Sequence, residues 1–319
     1  MTRSYQPTRQ RFNTMGCPAE LCVYAPSDAK ALQALRIARA EAQRLDHKYS
    51  HYREDSFLAH LQLSATRPGG QRVDPETAAL LDFAACQYQQ SEGRFDITAG
   101  RLTRLWQESA GLPAADEIQQ ALASTGWNKV VWDGVCLQLP PGMQLDLGGI
   151  VKEYAADRVA LLLRQAGFSS GYIDLGGDLH ILGPHPDGRP WKVGIRHPRK
   201  AGVLAGVDVF SGGLASSGDY ERYRMIGGKR YSHIIDARCG WPAESLASVS
   251  VIARSCLIAG AISTLAMLLD RDDATRFLTQ SGLHWLGYVD NHNCSSFRSS
   301  NLGSEQDQAI GYQPVRSVL

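Results

Sequence analysis

The sequence predicts an α+β fold, and two observations carry that prediction. Strand-like segments come in runs, above all between Trp191 and Ala253, and outnumber what a strict strand–helix alternation would supply. The fingerprints of doubly wound and hydrolase folds, G-x-G-x-x-G, the P-loop and G-x-S-x-G, are absent, as is the zincin motif H-E-x-x-H. Length sets the remaining bound: 319 residues, 44% hydrophobic and 20% charged, make one large globular domain or two moderate ones.

Charge and cysteine usage remove several classes of function. A formal net charge of +1 supplies no basic field for nucleic acid or an anionic membrane. The cysteines at 17, 22, 86, 136, 239, 256 and 294 form no C-x-x-C pair and no zinc-spaced cluster. Such a scattered set reads as reduced thiols in a cytoplasmic protein. Met1–Asn13 has no apolar core of a secretory signal. The longest mostly apolar run, Cys256–Leu269, is too short to span a bilayer.

Residues 12–25 read as an irregular entry and a strand over Leu21–Tyr24, with Met15-Gly16 just before it. Ser27 caps a helix that turns Leu32, Leu35, Ala38, Ala42 and Leu45 inward and ends near Lys48. After the polar-aromatic segment Tyr49–Arg53, a second helix opens at Asp74-Pro75, acid as cap and proline at the first helical position. It carries Ala78, Leu81, Ala85 and Tyr88 inward. Gly93–Leu102 lacks periodicity, and its lone acid, Asp96, reads equally as a turn residue or a functional one. Asp133-Gly134 turns a hairpin over Val130–Leu139.

The stretch Leu145–Asp157 organises the rest. An apolar strand end (Met143, Leu145, Leu147) runs into Gly148-Gly149, and a helix starts directly behind. Two glycines admit close approach of another group, and a helix start attracts an anion. Asp146 and Lys152 flank this corner, with Lys152 and Glu153 expected near the helix's exposed start, and Gly167 ends the helix. Alone, Asp-x-Gly-Gly is most often an ordinary tight turn. A second copy at Ile173–Asp178 makes chance a poorer account, so both read as strand ends facing one crevice.

Strands over Trp191–Arg196, Val203–Phe210 and Tyr220–Ile226 follow, the last preceded by Ala215–Tyr220, which reads as a flexible polar loop. A strand over Tyr231–Asp236 carries His233 and Asp236 near its end, although a strand histidine is more often structural than catalytic. Arg238–Pro242 is a turn and Ser248–Ala253 a strand. Ser255 caps the apolar helix Cys256–Leu269, whose polar exceptions are Ser263 and Thr264; such hydroxyls commonly bond the carbonyl one turn back. A surface helix at 270–281 and a strand at His284–Val289 complete the domain. Residues 1–11 read as flexible, 12–290 as the folded domain and 291–319 as a poorly ordered tail.

Taken in order, Met15-Gly16, Tyr49–Ser56, Phe95–Gly100, Leu145–Asp157, Ser217–Tyr220 and Tyr231–Pro242, with Ser248–Leu269 behind them, resemble the ApbE family of flavin transferases. The resemblance covers residues 12–290 and implies mixed or antiparallel sheets wrapped by helices, with FAD in a crevice between two lobes. It implies that the FAD pyrophosphate is cleaved with magnesium (Mg2+), releasing AMP. FMN is then left on a threonine or serine of an acceptor flavoprotein with an FMN-binding domain. Met15, Tyr52, Arg94, Phe95, Asp96, Asp146, Lys152, Ile234 and Ile235 would contact the flavin nucleotide. The Gly149 carbonyl, Ser263 and Thr264 would hold the metal. Phosphoryl transfer requires charge neutralisation, in-line positioning and a base near the acceptor hydroxyl, for which His233, Asp219 and Asp236 are the candidates.

The sequence departs from the family at one telling place. The acid expected four residues before Thr264 is Gly260, and Ser263 stands where some members have another acid. Glu153 follows the lysine where a small residue is usual, and Ala237 and Cys239 differ in the late turn. Gly260 removes a full negative charge from the metal site. An FAD-binding protein without transferase activity, or an FAD hydrolase giving FMN and AMP, therefore stands beside active transfer.

Overall fold

The computed structural model describes residues 6–289 and 295–298. Strands β1 (Thr8–Thr14) and β2 (Cys17–Val23) lead into helices α1 (Asp28–Tyr49) and α2 (Phe57–Ala65). After β3 (Gln71–Arg72) come α3 (Pro75–Gln90), α4 (Gly100–Glu108) and α5 (Ala115–Ala123), then β4 (Val131–Trp132) and β5 (Cys136–Gln138). Helix α6 (Gly148–Gln165) precedes β6 (Gly171–Leu175), β7 (Asp178–Gly183), β8 (Trp191–Arg196), β9 (Val203–Val209) and β10 (Gly212–Gly218). Two short hairpins follow, β11 (Tyr223–Ile226) with β12 (Lys229–Ser232), and β13 (Ile235–Asp236) with β14 (Trp241–Pro242). Strand β15 (Ser248–Ala253), α7 (Cys256–Met267), α8 (Arg271–Gln280), β16 (His284–Val289) and β17 (Ser295–Arg298) close the described chain.

The architecture is α+β. Its centre is an eight-stranded sheet in the order β1-β2-β6-β7-β10-β15-β16-β17, antiparallel throughout. Strand alternation divides the side chains between two faces. Ile173, Leu175, Ala215, Val249 and Val251 enter the main core beneath α1, α6 and α7. Cys22, Ile181, Leu214 and Ile252 face the β8–β9 hairpin, where Trp191 and Val209 cover them. A third, smaller cluster joins Leu102 and Trp106 of α4, Ile118 of α5, Tyr231 and Ala237. Trp106 donates its indole N–H to the Gly240 carbonyl at 2.8 Å, tying α4 to the late turn. The crevice lies between this smaller cluster and the main body.

The capped helices start where the sequence signals: Ser27, Asp74 and Ser255 each accept a backbone N–H of the following turn. The inward faces are shifted in places. Leu32 is exposed while Ala31 and Ala34 are buried, and α3 buries Leu80 and Ala84 beside Leu81. Ala215–Tyr220 is not a flexible loop: most of it lies in β10, in the middle of the sheet. Its residues are small because α7 lies over it, and a Cβ on Gly213 would fall 2.2 Å from the Cys256 nitrogen. The strand expected to end at Leu147 makes only an isolated bridge, Ala99 to Gln144. The expected strand Tyr231–Asp236 is broken at His233-Ile234. Strand β1 begins at Thr8, inside the segment expected to be flexible, because it pairs along its whole length with β2. Strand β17 places four residues of the expected tail on the sheet edge, and 299–319 lie outside the described residues. Among the described residues, no helix is long and apolar enough to cross a membrane.

Candidate active site

A crevice of about 1770 Å³ opens between the main sheet and the smaller cluster. It exceeds the ~300–1,000 Å³ of ordinary small-molecule pockets, so it suits a ligand of dinucleotide length. One wall is the corner at the start of α6. The Asp146 N–H donates to the Ile97 carbonyl at 2.6 Å, fixing the approach to the helix. The Asp146 carboxylate accepts the Gly148 N–H at 2.8 Å and lies 3.2 Å from His51 Nδ1. Burial opposes its charge, but the hydrogen bonds from His51, Gly148 and Thr103 together hold its pKa below the usual value. Gly148 and Gly149 are exposed to the crevice, and the Phe95 ring packs so near Gly149 that a Cβ there would lie 3.1 Å from it. The two glycines keep the positive end of α6 open to the crevice, between the Phe95 ring and the Asp146 carboxylate that caps the Gly148 N–H.

The two charged residues expected at an exposed helix start are instead largely buried. Lys152 Nζ pairs with Asp178 at 2.5 Å, and the Asp178 side chain is 3% exposed. Burial works against the ammonium, yet Asp178 and Glu153 more than offset it and raise the pKa of Lys152. Glu153 is 7% exposed, and its Oε2 has no hydrogen-bond partner. Burial pushes its carboxyl well up from the ordinary range. Asp178 belongs to the second Asp-Leu-Gly-Gly copy, which forms the β6–β7 turn with both glycines at positive φ. The two copies therefore do meet at the crevice, joined by this ion pair.

On the other side, the break between β12 and β13 presents His233, Ile234 and Ile235 to the crevice. His233 Nδ1 donates to the Arg222 carbonyl at 2.9 Å, which leaves Nε2 as the acceptor. The surrounding walls disfavour the imidazolium, helped by the Arg222 and Lys152 charges, and lower its pKa to about 4. Met15 and Gly16 form the β1–β2 turn with φ of 51° and 66°; Met15 is a non-glycine residue held in the left-handed region beside the crevice. Its N–H is anchored on Asp46 at 2.8 Å. Tyr52 is 68% exposed at the mouth, against the His51 ring.

Other sequence-predicted residues serve elsewhere. Arg94 and Asp236 bond each other at 2.7 Å, and neither lines the crevice. Asp219 is held by the Arg199 guanidinium through both oxygens, at 2.6 and 2.7 Å, and also lies off the crevice lining. Asp96 lines the wall, but its carboxylate is occupied by the Thr98 N–H and hydroxyl and by the Trp127 N–H. Thr264 lines the crevice, its hydroxyl 2.9 Å from Ser217 Oγ. Ser263 is fully buried behind it, donating to the Gly260 carbonyl at 3.0 Å. No group of three or more His, Cys, Asp or Glu side chains able to hold a metal exists among the described residues.

The site residues given no role from sequence are His51, Asp178 and Ser217, together with Glu153, which stood out only as a departure from the family. The duplicated Asp-Leu-Gly-Gly carried the signal for Asp178. Ser217 falls in the stretch that reads as a loop, and His51 lies within Tyr49–Ser56 with no spacing to mark it.

The match to known proteins agrees with this geometry. The ApbE family model matches residues 15–286. An FAD:protein FMN transferase of Klebsiella pneumoniae is 33% identical over 288 residues, 85% of this chain and 81% of its own length. One from Escherichia coli K12 is 32% identical over 75% of this chain and 71% of its own. The ApbE protein of Thermotoga maritima superposes with a TM-score of 0.84 at 30% identity, over 92% of this chain and 97% of that one. The flavin transferase ApbE of Vibrio cholerae gives 0.84 at 25% identity, over 93% and 98%. Matched by the family model over most of its length and sharing its fold with these structures, the chain belongs to the ApbE family.

Proposed function

We propose that this protein is an FAD:protein FMN transferase that moves FMN from FAD to a threonine or serine hydroxyl of an acceptor flavoprotein. One observation carries the reading: a neutral His233, its Nε2 free to accept, faces a crevice whose other wall is an anion-ready helix start with Lys152 behind it. The acceptor oxygen attacks the FMN phosphorus, the pyrophosphate P–O bond breaks, and AMP leaves. The hydroxyl proton passes to His233 Nε2. Asp219 and Asp236 are poorly suited to that step, since each is neutralised by an arginine away from the crevice.

The α6 start and Lys152 would position the phosphates, with Asp146 contacting the nucleotide through a donor group of the ligand, while Phe95, Ile234, Ile235, Met15 and Tyr52 supply apolar surface for the ring systems. Mg2+, when bound, would neutralise charge on the pyrophosphate oxygens. Gly149, with its carbonyl, and Thr264, with its hydroxyl, are hard oxygen donors among the residues lining the crevice, and Glu153 beside them carries a buried carboxylate oxygen without a hydrogen-bond partner, a donor set that fits such an ion. The free thiols at cysteines 17, 22, 86, 136, 239 and 256 support a cytoplasmic acceptor, one with an FMN-binding domain.

The test is incubation with FAD, Mg2+ and such an acceptor. Flavin fluorescence on the denatured acceptor, together with equimolar AMP, is the expected result. FAD bound without AMP release would make the protein a flavin carrier, and FMN plus AMP without an acceptor would make it a hydrolase.

A further inference from the structure

We propose that Glu153 is the carboxylate ligand of a divalent-cation site in the crevice, reaching from α6 into the space that Gly260 leaves open on α7. The proposal deepens the reading above and rests on it for the identity of the nucleotide. Helices α6 and α7 run antiparallel and meet at intervals of one turn. At the first step, the Asp157 carboxylate accepts the N–H groups of Cys256 and Leu257 at 2.7 and 2.9 Å. One turn back along α6, Glu153 lies against Gly260: a Cβ on that glycine would be 2.5 Å from Glu153 Cγ and 3.1 Å from its Oε1. Continuing by four residues on each helix, about 6 Å along the axis, brings Gly149 on one and Thr264 on the other. Gly149, Glu153 and Thr264 all line the crevice.

Two features make Glu153 a ligand rather than a packed side chain. Its Oε2 is buried without a hydrogen-bond partner, a costly state that a cation would relieve. The Lys152 ammonium does not balance it alone, because its Nζ bonds Asp178 at 2.5 Å and Asp178 lies beside Glu153, so two acids face one cation. A carboxylate, a hydroxyl and a carbonyl are the oxygen donors that a hard divalent ion takes. Gly260 is then no simple loss of charge. It is the room that lets an acid arrive from the opposite helix.

The experiment titrates the chelator-stripped full-length protein with Mn2+, followed by the electron paramagnetic resonance of free Mn2+, with and without FAD. FAD affinity is measured separately, in EDTA, by flavin fluorescence. Wild type is expected to take up Mn2+ saturably, one ion per chain. Glu153→Gln is expected to bind it roughly tenfold or more weakly, since ligand charge tunes such sites by orders of magnitude. Its FAD affinity in EDTA should stay within about twofold. Glu153→Gly should lose Mn2+ binding too, and adding Gly260→Asp to it should restore binding by returning an acid from α7; this pair decides the matter even where Glu153→Gln melts early. Undiminished Mn2+ affinity in both single variants would overturn the proposal. A chain that binds no FAD would instead overturn the flavin reading, and the FAD-free Mn2+ titration would still decide on Glu153.

Discussion

His233 shows how a single hydrogen bond selects a chemical role. The Arg222 carbonyl takes the Nδ1 proton, so the lone pair that remains is on Nε2. The crevice walls around it then disfavour the charged ring, and its pKa is lowered to about 4. The sign of the pH effect follows directly. The neutral form is the base, and a depressed pKa preserves it as pH falls, until protonation removes it near the depressed value. In kcat/KM, which reports the free protein, the acid limb is expected near pH 4 rather than near the ordinary histidine value of about 6.5. His233→Ala should lower kcat by about 10²–10⁴-fold and abolish that limb. An acid limb unchanged in the variant would assign the base elsewhere. Lys152 makes a different case, because its partner is almost wholly enclosed. Lys152→Ala would strand Asp178, whose side chain is 3% exposed, and should cost about 3 kcal/mol or more in chemical denaturation. Lys152→Arg should recover much of that loss, and equal midpoints for all three proteins would show the pair to be structurally idle. None of this charge pairing was legible beforehand. Asp219, Asp236 and His233 are all candidate bases in the sequence, and the placement of Arg199, Arg94 and the Arg222 carbonyl separates them.

At the scale of elements, the fit of α6 to α7 makes Gly260 something other than a gap. Restoring an acid there by Gly260→Asp alone would drive a Cβ to 2.5 Å from Glu153 Cγ in a closed helix interface. The single variant is therefore expected to lose about 1–3 kcal/mol of stability by overpacking, with lower activity as well. With Glu153→Gly in the same chain, stability should return towards wild type in a urea titration; a stable and more active single variant would contradict the interface. Sequence signals located the elements that announce themselves locally. Ser27, Asp74-Pro75 and Ser255 marked true helix starts, because a cap needs only its own turn. Helix α4 escaped notice because it begins at Gly100, a residue imposed from outside: a Cβ there would meet the Gln144 carbonyl at 2.8 Å. Strand β10 escaped notice for the same reason, its small residues reflecting the helix that lies over it. The corner at Leu145–Asp157 was readable because it occurs twice, whereas its buried partner Glu153 was readable only as an oddity of spacing.

The whole molecule joins a well-packed sheet-and-helix body to a smaller cluster, with the crevice between them. Its lining comes from both sides: Met15, Asp146 and Lys152 from the body, Trp106, Tyr231 and the β12–β13 break from the smaller part. A dinucleotide lying along this space would therefore bridge the two sides, and its binding energy would add to the ties, such as Arg94–Asp236, that already join them. Binding to the native state alone stabilises by about 2.7 kcal/mol when the ligand is at 100 times its Kd. For a chain of this size that corresponds to a rise in Tm of roughly 5 °C. Hydrogen exchange should localise the effect. FAD is expected to slow exchange at His51 and Tyr52 on one rim and along Arg222–Ile235 on the other, with helix α8, which does not line the crevice, little changed. Protection confined to a single rim would mean that the nucleotide does not cross the crevice, and the positions given to Asp146 and His233 on a common ligand would both fall.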